Sequence, residues 1–172
     1  MSSVVISGDT SGAITLSAPA VSGTNTATLP AATGTVMVSG NMPAFSAYLS
    51  ATQTVTTNVV TKVTLDTELF DTNNNFASSR FTPTVAGYYQ INCMVQTLSA
   101  AQPVLFLFKN GSNYASNSIG ISTVNGQVQV SAVVYCNGST DYIEMYAVTY
   151  GGTQFGSGQT ATFMSGSLVR SA

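Results

Sequence analysis

A chain of 172 residues, 44% of them hydrophobic, holds enough apolar material for one domain-sized core, which excludes wholesale disorder. Only 6% of its residues are charged, against roughly 25% in an ordinary soluble domain, so Ser, Thr, Asn, Gln and Gly must carry its solubility. A net charge of −2, with Lys62, Arg80, Lys109 and Arg170 scattered along the chain, excludes nucleic-acid and anionic-lipid partners, and the lack of histidine excludes Ser-His, Cys-His and imidazole-metal chemistry.

Residues 1–40 carry no aromatic side chain and are rich in Ser, Thr, Gly and Ala, so they cannot build a compact core of their own. They begin with neither a basic, apolar signal pattern nor a run of about 18 apolar residues, so the chain is expected to fold in a cytoplasm and to insert in no membrane. Four short β-like runs (4–6, 14–16, 26–29 and 35–38) lie between Gly, Pro and Ser-Gly turn signals, and read as strand fragments in search of a partner. Aromatics begin after Pro43, with Phe45 and Tyr48. The division this suggests is an extended N-terminal segment, 1–42, and a head domain, 43–172.

No helical period stands out from residue 45 onward; the patterned segments alternate or are continuously apolar at strand length. The expected strands cover Val59–Leu65 and Thr67–Phe70, then Gly87–Leu98 with Tyr89, Ile91, Cys93 and Val95 on one face. Val104–Lys109 follows, then a type I′ hairpin at Asn110 and Gly111 and its return strand Asn113–Ile121. Gln127–Cys136 alternates with Val128, Val130, Ala132 and Val134 on one side; after the turn at Asn137 and Gly138 comes Asp141–Tyr150. A glycine-rich loop, 151–158, precedes a closing strand, Thr160–Arg170. Many short strands without helices predict an all-β sandwich or barrel.

At this point the residues resemble a known family. Phe81, Pro83, Gly87, Tyr89 and Ile91 are spaced as in the central signature of the C1q and tumour-necrosis-factor-like jelly roll. Pro43 to Ala47 stands at the expected start of that domain, Lys109 to Gly111 at its hairpin, and Phe163 to Leu168 at its closing strand, about 125 residues in all. Two departures mark a remote member: Phe76 lies five residues before Phe81 rather than seven, and Ile91 replaces a Phe. Gly12 to Ala20, Thr28 to Ala31 and Gly34 to Val36 resemble a segment recurrent in phage tail-fibre proteins.

The resemblance implies a homotrimer in which strands 44–49, 87–98, 127–136 and 160–169 form one sheet facing a three-fold axis. Phe45, Tyr88, Tyr89 and Phe163 are the candidate interface residues, and parity alone leaves open which tyrosine faces the axis. It implies a structural or binding component of a bacteriophage virion, such as a tail fibre, knob or capsid decoration. Its partners would be itself, other virion proteins through 1–42 and a host surface glycan or protein in host attachment. A cytokine- or complement-like ligand module is the alternative, and a polysaccharide-acting enzyme a further one.

For recognition, exposed loops at 71–79, 110–118 and 150–158 are candidates, with Tyr150, Gln154 and Phe155 as contacts. Catalytic, cofactor and metal residues are expected to be none. Asp66, Glu68 and Asp71 with Asn73 to Asn75 are oxygen-rich, yet lack the spacing and closing Glu of a calcium loop, and read as a solvated loop edge. Asp141 and Glu144 read likewise as solubilising hairpin acids. Cys93 and Cys136 fall on neighbouring strands, where a disulfide is geometrically conceivable and buried free thiols are the expectation for a chain folded in a cytoplasm.

Overall fold

The structure, a computed structural model, describes residues 3–21, 23–26, 31, 34, 36–120 and 124–172. The expected run over 27–29 and the end of the return strand at Ile121 lie outside these. The chain divides into two units, Met1–Gly34 and Thr35–Ala172.

In the first unit, β1 (Ser3–Ser7) and β2 (Ala13–Ser17) form an antiparallel hairpin, closed by Gly12 at φ 76°. Val4 faces Leu16 and Ile6 faces Ile14 across the ladder, and all four are more than half exposed. A two-stranded ribbon is at best marginal in water unless its apolar face is covered.

The second unit is a sandwich. Its strands are β3 (Ala44–Tyr48), β4 (Gln53–Thr54), β5 (Thr61–Lys62), β6 (Thr67–Asp71), β7 (Phe76–Ala77), β8 (Arg80–Phe81) and β9 (Gly87–Gln96), followed by β10 (Gln102–Lys109), β11 (Ser112–Ser118), β12 (Gln127–Cys136), β13 (Ile143–Tyr150), β14 (Gln154–Phe155) and β15 (Phe163–Ser171). One sheet runs β12-β9-β15-β3-β6; the other runs β11-β10-β13-β8-β7, with β5 also on β13. The four strands that the family resemblance assigns to one sheet are neighbours in it.

Alternation explains the core. On β9, Tyr89, Ile91, Cys93 and Val95 are buried while Tyr88 and Asn92 point out; Leu105 and Leu107 of β10 and Ile143, Met145 and Ala147 of β13 meet them from the other sheet. Phe81 anchors the centre. It stacks on Phe45 at 4.2 Å and meets Tyr89 edge-on at 5.4 Å, so one ring from β8 joins two from the facing sheet. Gly87 is required by close approach rather than by an unusual φ: a Cβ there would sit 2.7 Å from the Leu168 side chain on β15.

Three expectations change. Val59–Leu65 is not one strand. Only Thr61–Lys62 pairs, because this segment crosses from β13 of one sheet to β3 of the other, with Val63 and Leu65 buried and Val59 and Val60 exposed. The expected loop 71–79 is partly paired and buried: Phe76 and Phe81 face each other in a tight hairpin whose turn, Ser78 and Ser79, takes φ of 52° and 56°. The turn at Asn137 and Gly138 makes no hairpin, since β12 and β13 belong to different sheets and the loop arches between them. The hairpin at Asn110 (φ 51°) and Gly111 (φ 78°) forms as the sequence predicts.

Candidate functional site

The outer face of the five-stranded sheet turns away from the core between the sheets. Ser131, Asn92, Ser165 and Ser46 cross its middle on a single rung. The Gln90 amide donates to Ser131 Oγ at 2.8 Å, and Ser131 Oγ donates to Asn92 Oδ1 at 2.8 Å. Met94, Phe163 and Tyr48 share the next outward rung toward one end. At the other end Tyr88 and Tyr135 lie with ring centroids 5.4 Å apart. Over β3, β9, β12 and β15 the sequence places one charged residue, Arg170, and it sits at that end opposite Tyr88. A face with aromatics at both ends and a single cation at its edge shares with interface cores their aromatic enrichment and depletion of charge, though not the serines at its centre.

Of the four interface residues expected, Tyr88 (42% exposed) and the partly buried Phe163 lie on this face. Phe45 and Tyr89 do not. Both are core residues, at 1% and 0% exposure, because their parity turns them toward Phe81; the Tyr89 hydroxyl donates to Val85 O at 2.6 Å. Tyr48, Met94 and Tyr135 lie on the same face, each sharing the parity of Tyr88 or Phe163 on its ladder, a signal the alternation already carries.

The recognition residues also separate. Tyr150 is 49% exposed and Gln154 is exposed, but Phe155 is fully buried: β14 pairs with β4, Phe155 bridges Thr97, and its ring enters the core. The glycine-rich segment is tied down rather than free. Gly156 N donates to Gln96 O and Gly158 N to Leu49 O, both at 2.8 Å, and Thr149 Oγ1 donates to Gly152 O. The three loops do not form one tip. Asn73 Nδ2 reaches Gly40 O at 3.0 Å, and Asn110 bonds Asp141, so loops 71–75 and 110–111 lie where the chain comes in from residue 40. Loop 150–158 is at the opposite end of the sandwich.

Four of the six carboxylates serve the scaffold. Asp66 and Asp71 stand at opposite ends of β6: one accepts from the Ser50 N–H and hydroxyl at 2.8 Å each, the other from Phe76 N at 2.6 Å. Burial opposes ionisation of Asp66, but the Ser50 bonds outweigh it and hold its pKa low. Asp141 and Glu144 are not solubilising acids. Asp141 is held below the usual carboxylate range chiefly by the Asn110 amide and by Lys109, 3.0 Å away.

Glu144, 3% exposed, takes Lys62 Nζ at 2.7 Å and Arg80 Nε at 2.9 Å; burial raises its pKa, and these two cations more than offset that. Among the described residues no group of three His, Cys, Asp or Glu side chains could hold a metal ion. Cys93 lies opposite Val130 and Cys136 opposite Gly87, so the thiols are six residues apart along β9, roughly 20 Å at about 3.3 Å per residue. They are free and buried, far beyond disulfide reach.

No protein-family model and no curated protein sequence matches the chain. Solved structures do. The globular domain of zebrafish complement 1qA protein superposes with a TM-score of 0.54 at 15% identity, covering 76% of this chain and 98% of that one. Murine APRIL at pH 5.0 gives 0.60 at 10% identity, covering 74% and 99%. The PRD1 vertex protein P5 gives 0.56 at 15%, covering 74% and 97%. At such identities the likeness is one of fold: an antiparallel, C1q/TNF-like jelly roll.

Proposed function

We propose that the chain is a homotrimeric structural and binding component of a bacteriophage particle, a fibre, knob or capsid decoration. Residues 1–42 dock on other virion proteins, and the jelly-roll head is exposed. The observation that carries the reading is the outer face of β12, β9, β15 and β3, where one cation, Arg170, stands at the edge opposite Tyr88, the central serines let a second subunit approach closely, and Tyr88, Tyr135 and Phe163 supply apolar contact. The fold is shared by proteins with unlike names, so fold alone selects no role. The virion reading is supported by the near-absence of charge, by the tail-fibre-like pattern of residues 12–36 and by the likeness to a named phage vertex protein. Asp66, Asp71, Asp141 and Glu144 are engaged in scaffold bonds rather than held as a free acid–base pair, which favours a building block over an enzyme.

The test is the mass in solution of the full chain and of its Ser165→Arg variant. A species of three times the 17.7 kDa chain mass is expected, falling to the monomer when a cation enters the face. A monomeric wild-type chain would remove the reading. Adsorption of the full chain to host cells tests the recognition role separately.

A further inference from the structure

The other sheet also carries an organised outer face. Phe108 faces Glu144 across the β10–β13 ladder, and Glu144 faces Arg80 across β13–β8; Tyr146 faces Lys62 on the adjoining rung. An aromatic column, an acid–tyrosine column and a cation column therefore stand side by side. Phe108 and Tyr146 are stacked, with centroids 4.5 Å apart and planes at 23°, and both stay partly exposed.

The cations are arranged for more than an internal salt bridge. Two positive charges meet the one carboxylate of Glu144, leaving an excess of one on a chain whose net charge is negative. Arg80 uses Nε for Glu144 and lays its guanidinium 3.9 Å from the Tyr142 ring centre. Its two Nη groups bond nothing among the described residues, and the side chain is 44% exposed. A guanidinium fixed at Nε and by stacking, with its outer fork free, is preorganised to take a carboxylate in two hydrogen bonds. Lys62, anchored on Glu144 and Ser78 O, holds a second charge beside it. β10 and β13 are interior strands, so a peptide cannot add here by backbone pairing; the flat ring pair instead suits the apolar face of a pyranose.

We propose that this face binds an acidic saccharide: Arg80 grips a uronate-type carboxylate, and Phe108 with Tyr146 supports the neighbouring sugar ring. The inference rests on the reading of the head as an exposed recognition module and names its ligand class. It moves the contact from the 150–158 loop to the sheet face.

The experiment titrates the full chain with a galacturonate oligosaccharide, with a neutral glucan oligosaccharide of equal length and with poly-L-glutamate, while two-dimensional NMR maps the perturbed residues. Expected are saturable, salt-sensitive binding of the galacturonate oligosaccharide and shifts at Arg80, Tyr142 and Tyr146. Arg80→Gln should weaken binding about tenfold, the scale of one hydrogen bond to a charged group. Arg80→Lys, which keeps the charge but loses the fork, should recover only part of it, and Thr56→Ala, an exposed position at the opposite end, should change nothing. Thermal melts of each variant confirm that the fold is retained.

No binding to the galacturonate oligosaccharide, equal binding of the neutral glucan, shifts confined to 150–158, or tighter binding of poly-L-glutamate would each overturn the proposal. Retained trimer mass and host-cell adsorption in Arg80→Gln would leave the virion reading standing while this inference falls.

Discussion

Glu144→Gln is the substitution whose cost the structure lets one work out. The native carboxylate is buried and accepts two charge-assisted hydrogen bonds, at 2.7 Å from Lys62 and 2.9 Å from Arg80. Both bonds end on Oε1, so a glutamine carbonyl placed there keeps both contacts but loses the charge that assists them, and its NH2 takes the place of Oε2, to which the Tyr146 hydroxyl donates at 3.4 Å. A hydrogen bond to a charged group is worth about 1.5–3 kcal/mol against about 0.5–1.5 for a neutral one, so each of the two contacts loses roughly 1 kcal/mol or more. Lys62 and Arg80 are 28% and 44% exposed and can turn toward water, which trims the loss to about 2 kcal/mol.

For a domain of this size that corresponds to a fall of roughly 4–8 °C in Tm. Acid supplies the internal control. Because the folded-state pKa of Glu144 lies below its unfolded value, its contribution is complete above the ordinary glutamate pKa and fades as pH drops through the lowered one. Circular-dichroism melts of both proteins should thus differ at pH 7 and converge toward pH 3. Equal melting at pH 7, or a gap that persists unchanged in acid, would refute the triad as a fastener.

Three other outcomes follow from the packing. Phe81→Ala removes the ring shared by Phe45 and Tyr89 and should cost about 3–5 kcal/mol, read as a lower urea midpoint. Gly138→Ala forces a side chain onto φ 73° and places its Cβ 2.8 Å from Val85 C, so a loss of about 2 kcal/mol or more is expected in thermal melts. Burial pushes the Cys136 thiol up to about 11 and that of Cys93 higher still, so neither should react with a thiol reagent at pH 8 until denaturant is added.

Much of the fold was legible because β-alternation is a local signal. Residues 87–98 and 127–136 announce their buried faces through Tyr89, Ile91, Val128 and Val134 without knowledge of the partner strand. What was not legible depended on where the chain changes sheets. Val59–Leu65 has strand composition but pairs only at Thr61–Lys62 before crossing the sandwich, and Asn137–Gly138 has hairpin composition but spans two sheets.

The site residues failed for a related reason. Phe45 and Phe155 are aromatics beside polar or glycine-rich stretches, a pattern shared by exposed recognition loops and by rings that plug the end of a core. Glu144 was misread because its cations come from residues 62 and 80, more than sixty positions away, and no local pattern reports that juxtaposition.

The pairing of β3 with β15 has a practical corollary. Ala44 lies opposite Ser167, Leu168 N donates to Pro43 O, and Ala172 N to Ala86 O, so the head begins and finishes at the same pole. A reporter or antigen fused after Ala172 would emerge at the pole where the head begins, near Pro43. To present cargo outward, the graft belongs at the far pole, between the exposed Ser99 and Ala100 of the β9–β10 connection, since the backbone of 151–154 is bonded to Thr57, Val55 and Leu98.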